Sequence, residues 1–391
     1  MSALVWLPGL TSVLALVFSI ALFDQWRVRR QSFQLIWAFG MLFYGLASGC
    51  EAIGGAAGWS ESLYKTWYLT GALWTAGWLG LGTAFLLGRT RFGYSFAFGL
   101  FLAGLFTFLT QRRFDYPGSG NAPILYFIAA AILAIAVAVE TYFQNDRWPR
   151  LAALAVIGAT IVSAGLMVTT TLAAPGYALD PNTHAPTGEL FPGTIRLLTP
   201  FMNVTGGFSL AIGALFSAYV FMPKRRVLPY SLDPNQPGDH FLFNLSIAVV
   251  AIPVNFVASL PGAVRALFAG KLHSRVPATL LIAIGGFLAS GGDILNRFGI
   301  TEYFQAGKFI AVIFLFAGFL VSIEVFREFR VPFTAIRLGR TRQEPAGADA
   351  LAAAVDDTDD DPLSALPETL EPATLDPATP ESASSGHTAG T

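Results

Sequence analysis

FLFNLSIAVVAIPVNFVASLPGAVRALF, Phe241–Phe268, is the stretch on which the fold turns. It is apolar and long enough to cross a bilayer. Pro253 and Pro261 interrupt it, because proline lacks an N–H and clashes with the preceding helical turn. Asn244 and Asn255 offer partners to the backbone groups so released. The reading is a re-entrant or in-plane helical pair; the alternative is an ordinary proline-kinked span. The choice sets the parity of the chain. If the stretch turns back there are nine spans and the two ends face opposite sides, and if it crosses there are ten.

The rest of the chain is a membrane protein by composition. Hydrophobic residues make up 54% and charged residues 13%, and the mean hydropathy is +0.56. Soluble domains carry about a quarter charged residues. Nine further apolar runs are Ala3–Phe23, Phe33–Cys50, Thr66–Leu87, Tyr94–Thr110, Ile124–Phe143, Leu151–Leu172, Leu198–Phe221, Ala278–Leu295 and Phe309–Val325. Lipid cannot satisfy free backbone groups, so each is a helix. The predicted fold is an all-α polytopic transmembrane bundle over residues 1–342, with about nine spans plus the re-entrant or in-plane segment.

Charge divides the chain in two. Eleven of the 25 acidic residues and none of the 24 basic ones follow Arg342, so the body holds 24 basic against 14 acidic residues, a balance of +10. Residues 343–391, rich in Pro, Ala, Ser, Thr, Asp and Glu, bury too little apolar surface to offset their ordering entropy and are expected to be a disordered acidic tail. Orientation follows the basic loops. With the N-terminus outside, the inner segments hold 15 Lys and Arg, the outer loops six, and three belong to the ambiguous stretch. That orientation leads to the expectation of a cytoplasmic C-terminus. No basic residue precedes the first run, so it is a retained span rather than a signal peptide.

Cys50 is the single cysteine, and His184, His240, His273 and His387 have no helical i, i+4 spacing. A disulfide framework and a helix-borne metal site are therefore not expected. Glycine clusters such as GWLGLGTAFLLG lie inside an apolar run with no preceding strand, so they serve helix packing rather than nucleotide binding. No cofactor, catalytic residue or nucleic-acid partner is implied.

Five residues are candidates for a ligand or ion pathway. Glu51 closes one span and Lys65 opens the next, so the two charges meet at one interface. They form either a helix-end ion pair with Trp59, Trp67 and Tyr68 in the aromatic belt, or a polar contact in an outward pocket. Asp293 and Arg297 stand at i, i+4 spacing at the end of a glycine-rich span, and a carboxylate at membrane depth is a functional candidate by default. Asn203, after Pro200, aims an amide into the bundle, as helix glue or as a substrate contact. Arg265, Lys271 and Arg275 suit anionic lipid headgroups. His273, beside these cations, is disfavoured as a proton acceptor. Glu140 and Glu324 anchor helix ends.

QWRVRRQSF, then WAFGMLFYGLASGCE, then YKTWYLTGALW resemble, over about the first ninety residues, the multi-span N-terminal sensor region found in front of bacterial histidine kinases. At whole-chain level the sequence resembles an uncharacterised family of multi-pass membrane proteins from Ala/Gly/Arg-rich bacteria. The resemblance implies sensing or scaffolding without catalysis and transfers no active site. The expected partners are the lipid bilayer and a cytoplasmic protein met through the acidic tail. The alternative is a small-solute or ion transporter using Asp293 and the interrupted stretch 241–268.

Overall fold

The computed structural model describes residues 3–143, 147–181, 184–232, 241–297, 301–322, 328–330 and 337–339; the side chains of 3–4, 241–242, 291–297, 301–303 and the last two segments are excepted. Twelve helices account for nearly all of it: α1 (Ala3–Arg29), α2 (Ser32–Ala57), α3 (Glu61–Trp67), α4 (Thr75–Leu86), α5 (Gly93–Phe114), α6 (Ala122–Tyr142), α7 (Trp148–Thr169), α8 (Gly193–Arg196), α9 (Leu198–Phe221), α10 (Phe241–Phe268), α11 (Arg275–Arg297) and α12 (Thr301–Val321). A π-helical segment, Tyr68–Trp74, joins α3 to α4 into one span. Glu328–Arg330 and Arg337–Gly339 pair as a short antiparallel hairpin. The acidic tail, 343–391, and Glu324 lie outside the described residues.

Contacts between helices fix which end of each lies on which face. Ser12 Oγ donates to the Gly45 carbonyl at 2.8 Å and Ser19 Oγ to that of Ala38 at 2.7 Å, so α1 and α2 are antiparallel. Trp37 donates to the Leu79 carbonyl and packs edge-on to Phe319, while Tyr44 Oη donates to the Lys308 carbonyl. Thus α12 runs antiparallel to α2 and parallel to α1. The start of α1 and the end of α12 therefore lie on opposite faces. The face that holds the end of α1 also carries Arg27, Arg29, Arg30, Arg89, Arg91, Arg147, Arg150 and Lys224–Arg226. The opposite face carries Lys65, Arg112, Arg113, Arg196 and Lys308.

By length and composition, nine helices among the described residues can cross a membrane, α10 among them, while the described apolar part of α11 is shorter. Packing reassigns these two. Gly285 of α11 sits against Ala311 and Leu315 of α12, and Gly318 of α12 against Ala278 and Ile282 of α11, so the pair run antiparallel side by side and α11 crosses with its neighbour. By contrast, the hydrophobic cluster that α10 shares with other helices among the described residues lies at the last turn of α9 and the first turns of α11, through Ala218, Tyr219, Met222, Ala263 and Val276. Its chief companion is the connection after α9. Asn255 Oδ1 accepts the N–H groups of Val227 and Leu228, its Nδ2 donates to the Leu228 carbonyl, and Ser259 Oγ accepts the Arg225 N–H.

Both α9 and α11 meet the basic face where they flank α10. If α10 crossed, the charged stretch 222–240, with Lys224, Arg225, Arg226, Asp233 and Asp239, would have to cross back through lipid, where such charges are costly. One unbroken helix of 28 residues cannot double back, so α10 lies in the plane of the basic-face leaflet. The expected helical pair is thereby corrected to a single helix: Pro253 and Pro261 sit inside it on its exposed stripe. The crossing set is α1, α2, the α3–π–α4 span, α5, α6, α7, α9, α11 and α12. Arg265, Lys271 and Arg275 join the basic face.

Small residues let the crossing helices approach, since lipid tails give no hydrophobic drive for helices to associate. A Cβ on Gly80 would come within 2.5 Å of the Gly206 backbone, and one on Gly206 would overlap the Ala76 carbonyl. Gly158 of α7 has nothing within 4 Å. Gly206→Ala should therefore lower the apparent Tm in detergent, at an overpacking cost of about 1–3 kcal/mol, while Gly158→Ala should leave it within a degree or two. For α10, cysteines at positions 240 and 271 in a Cys50→Ala background should react with an impermeant maleimide from the same side of oriented vesicles. Labelling from opposite sides would make α10 a crossing helix.

Candidate functional site

Glu51 lies six residues before the end of α2 and is only 6% exposed. A carboxylate at this depth needs compensation on both oxygens, since removing a charge from water costs several kcal/mol. The structure supplies it from α12 and α3. Lys308 Nζ stands 2.8 Å from both Oε1 and Oε2. Gln305, one turn before Lys308, donates Nε2 to Oε2 at 2.9 Å. Trp67 donates its indole N–H to Oε1 at 2.8 Å. Each oxygen thus accepts two donors, which fills the capacity of an ionised carboxylate.

The partner is not the one expected. Lys65 does not pair with Glu51: its ammonium meets Glu61 at 2.7 Å, one helical turn away, and donates to the Thr170 carbonyl at 2.6 Å. The local reason is that Ser60 caps α3 by accepting the Leu63 N–H, which places Glu61 and Lys65 on one face at i, i+4. Trp67, two residues on, turns instead toward α2.

The register change that follows is the π-helical segment. The Thr75 N–H and its Oγ1 both reach the Thr70 carbonyl, five residues back. Gly71 in its middle lies against Ala47 of α2, where a Cβ would come within 2.8 Å of the alanine's methyl. Such segments appear where side chains are re-aimed, frequently at functional sites. At its start Tyr64, Trp67 and Tyr68 face Glu51 and the connection after α7. At its end and in the following turn Trp74 and Trp78 donate to Ser163 and Thr160 of α7.

The connection from Thr170 to Leu197 folds over this end of the bundle. Phe191 stacks on Tyr64 at 5.0 Å and meets Tyr68 at 4.3 Å with its ring tilted. Tyr64 Oη donates to the Thr187 carbonyl, and Tyr126 Oη to that of Thr194 at 3.1 Å. Tyr68 Oη shares a hydrogen bond with Thr199 at 2.9 Å. Trp59 returns over Gly54 and meets Trp67 edge-on. The result is a polar lock roofed by aromatic rings.

The other sequence candidates are not brought here. Asn203 is half-buried on α9, one turn before Gly207, which meets Ser290 of α11. The side chains of Asp293 and Arg297, on the next turns of α11, lie outside the described residues. Arg265 and Lys271 are exposed near the end of α10 on the basic face, and Arg275 lies 4.1 Å from the centre of the Phe221 ring. His273 stacks on the same ring, and desolvation there, with Arg275 beside it, lowers its pKa below the ordinary histidine value. Among the described residues, no three His, Cys, Asp or Glu side chains gather to hold a metal.

Gln305, Lys308 and Trp67 as partners of Glu51 escaped the sequence reading. A signal was present: Gln305 and Lys308 stand three apart near the start of an otherwise apolar span, on one helix face.

Lys308→Met should leave Glu51 charged and uncompensated, costing about 3–5 kcal/mol and lowering the apparent Tm strongly. Glu51→Gln with Lys308→Met should recover much of the loss. A double-mutant cycle by thermal unfolding in detergent reads the coupling; additive effects would mean that the pair does not form.

No protein-family model, curated protein or solved structure matches this chain.

Proposed function

We propose that this integral membrane protein is a sensory or scaffolding protein without catalytic activity, held in a bacterial plasma membrane with its basic face in the cytoplasm. The observation that carries the proposal is the saturation of Glu51. Four donated contacts from α3 and α12 leave the carboxylate no vacant acceptor site, and the aromatic roof covers it. A group so fixed ties α2, α12 and the third span into one unit. That suits a body that transmits or presents, more than one that binds and releases a solute. The basic face supports the orientation, because Lys and Arg are retained on the cytoplasmic side during insertion.

In this orientation α10 and the rim residues Arg265, Lys271 and Arg275 meet the inner leaflet, where each basic residue near an anionic surface contributes about 1 kcal/mol. The acidic segment after Arg342 then serves as a cytoplasmic arm for a protein partner. The transporter alternative loses one of its two supports, because α10 is unbroken and lies beside the bundle rather than within it.

The arm supplies the test. Crosslinking in cells followed by purification should recover a cytoplasmic protein with the full chain and lose it when residues 343–391 are removed. Identical recovery from both forms would remove the scaffolding assignment. Solute uptake into proteoliposomes that vanishes with Asp293→Asn would favour the transporter instead.

A further inference from the structure

At the basic face, α1 and α2 leave between them a groove of about 280 Å³. Ile20 and Phe23 of α1 and Phe39 and Leu42 of α2 wall it. Ile20, Phe23 and Phe39 are between 39% and 46% exposed, so the groove opens sideways toward lipid rather than into the bundle. Asp24 and Arg27 also line it, one helical turn apart on α1. Asp24 Oδ2 is buried with no hydrogen-bond partner among the described residues, and no ion pair there joins Asp24 to Arg27.

A buried carboxylate oxygen without a partner is an acceptor for a cationic donor. The groove opens toward lipid, so such a donor can reach it from the bilayer. We propose that the groove binds a phospholipid whose zwitterionic headgroup carries a primary ammonium, of the phosphatidylethanolamine class. Its acyl chain lies along Ile20, Phe23, Phe39 and Leu42. Its phosphate meets Arg27, and its ammonium docks on Asp24. The depth agrees: α1 is about 40 Å long at 1.5 Å per residue, so Asp24 and Arg27 in its last two turns stand at headgroup level. The chemistry discriminates. A primary ammonium donates N–H hydrogen bonds to a carboxylate, a quaternary ammonium has none to donate, and a glycerol headgroup brings no cation at all.

The full chain, purified and delipidated in detergent, is offered equal amounts of phosphatidylethanolamine, phosphatidylcholine and phosphatidylglycerol, and retained lipid is read by native mass spectrometry. The wild type should retain the ethanolamine lipid about tenfold over the choline lipid, the scale of one charge-assisted hydrogen bond. Asp24→Asn should bring that ratio close to one, while Asp115→Asn on the opposite face should leave it unchanged. Leu42→Trp, which fills the groove and leaves the charges alone, should lower retention of the ethanolamine lipid and tests the site even if Asp24→Asn fails to fold. Water-soluble phosphoethanolamine should not displace the lipid; displacement would show that the apolar walls contribute nothing. A wild type without the preference, or an Asp24→Asn protein that keeps it, overturns the proposal.

Discussion

Everything in this architecture follows from a solvent that can neither hydrate a charge nor hydrogen-bond a carbonyl. That constraint makes each long apolar run a helix. It also decides an element that length and composition assign wrongly. On hydropathy alone α10 is a better span than the α3–π–α4 segment. It is kept out of the crossing set by what stands before it: three consecutive basic residues and two aspartates, charges that lipid does not accept. The in-plane position of α10, and the opposite placement of the ends of α1 and α12, both follow from that.

The same solvent explains the uneven use of side chains. Between helices there is no hydrophobic force to gain, so contact is made by removing side chains or by hydrogen bonds that cross from one helix to another. The Gly80–Gly206 approach is the first kind; Ser12 to Gly45 and Trp37 to Leu79 are the second. Glu51 is the extreme case. In water an exposed ion pair contributes roughly 0–1 kcal/mol. Buried, the pair with Lys308 is weak evidence of net stability, yet breaking one side is costly. Its effect is to fix register: α12 cannot slide or rotate against α2 without stranding a charge, and Gln305 and Trp67 narrow the permitted geometry further.

Much of this was legible in the sequence, for reasons that also mark the limits. The spans could be read because bilayer thickness imposes a length and lipid imposes a composition, both local properties. The departure from a plain span at 241–268 could be read from Pro253 and Pro261, although the consequence drawn from them, a broken pair, was not what forms. Asn255 was read correctly as a backbone partner, but it serves the N–H groups of Val227 and Leu228 rather than carbonyls released by proline. The spacing of Gln305 and Lys308 marks a polar helix face, but not its partner: Glu51 is 257 positions from Lys308, and their approach depends on how α1, α2 and α12 close on one another. Lys65 is the nearer cation in sequence, but Glu61 claims it within one helical turn. The π-helical segment left no sequence mark beyond Gly71. The candidates around Asp293 fall where side chains are not described, so Asn203 alone represents that interface.

The surface of α10 shows why its environment must be the membrane. Its buried stripe, Asn244, Ala248, Ala251, Asn255, Ser259 and Ala263, is small and polar, and its exposed stripe carries Phe243, Val250, Val257 and Phe268. A helix on a water-soluble protein has the reverse pattern, with the apolar stripe turned inward. Phe268 is 87% exposed and Phe243 67%, one near each end, so the apolar face runs the length of the helix rather than forming a local patch. In water such a face would invite aggregation. In the outer part of a leaflet it is solvated by acyl chains, while Arg265 near the end of the helix and Lys271 just beyond it stay within reach of headgroups. The polar stripe is then free to bind the connection after α9, where Ser259 Oγ accepts the Arg225 N–H and Asn255 Oδ1 accepts those of Val227 and Leu228. The helix thus converts an apolar stretch into a platform that positions cations at the membrane surface.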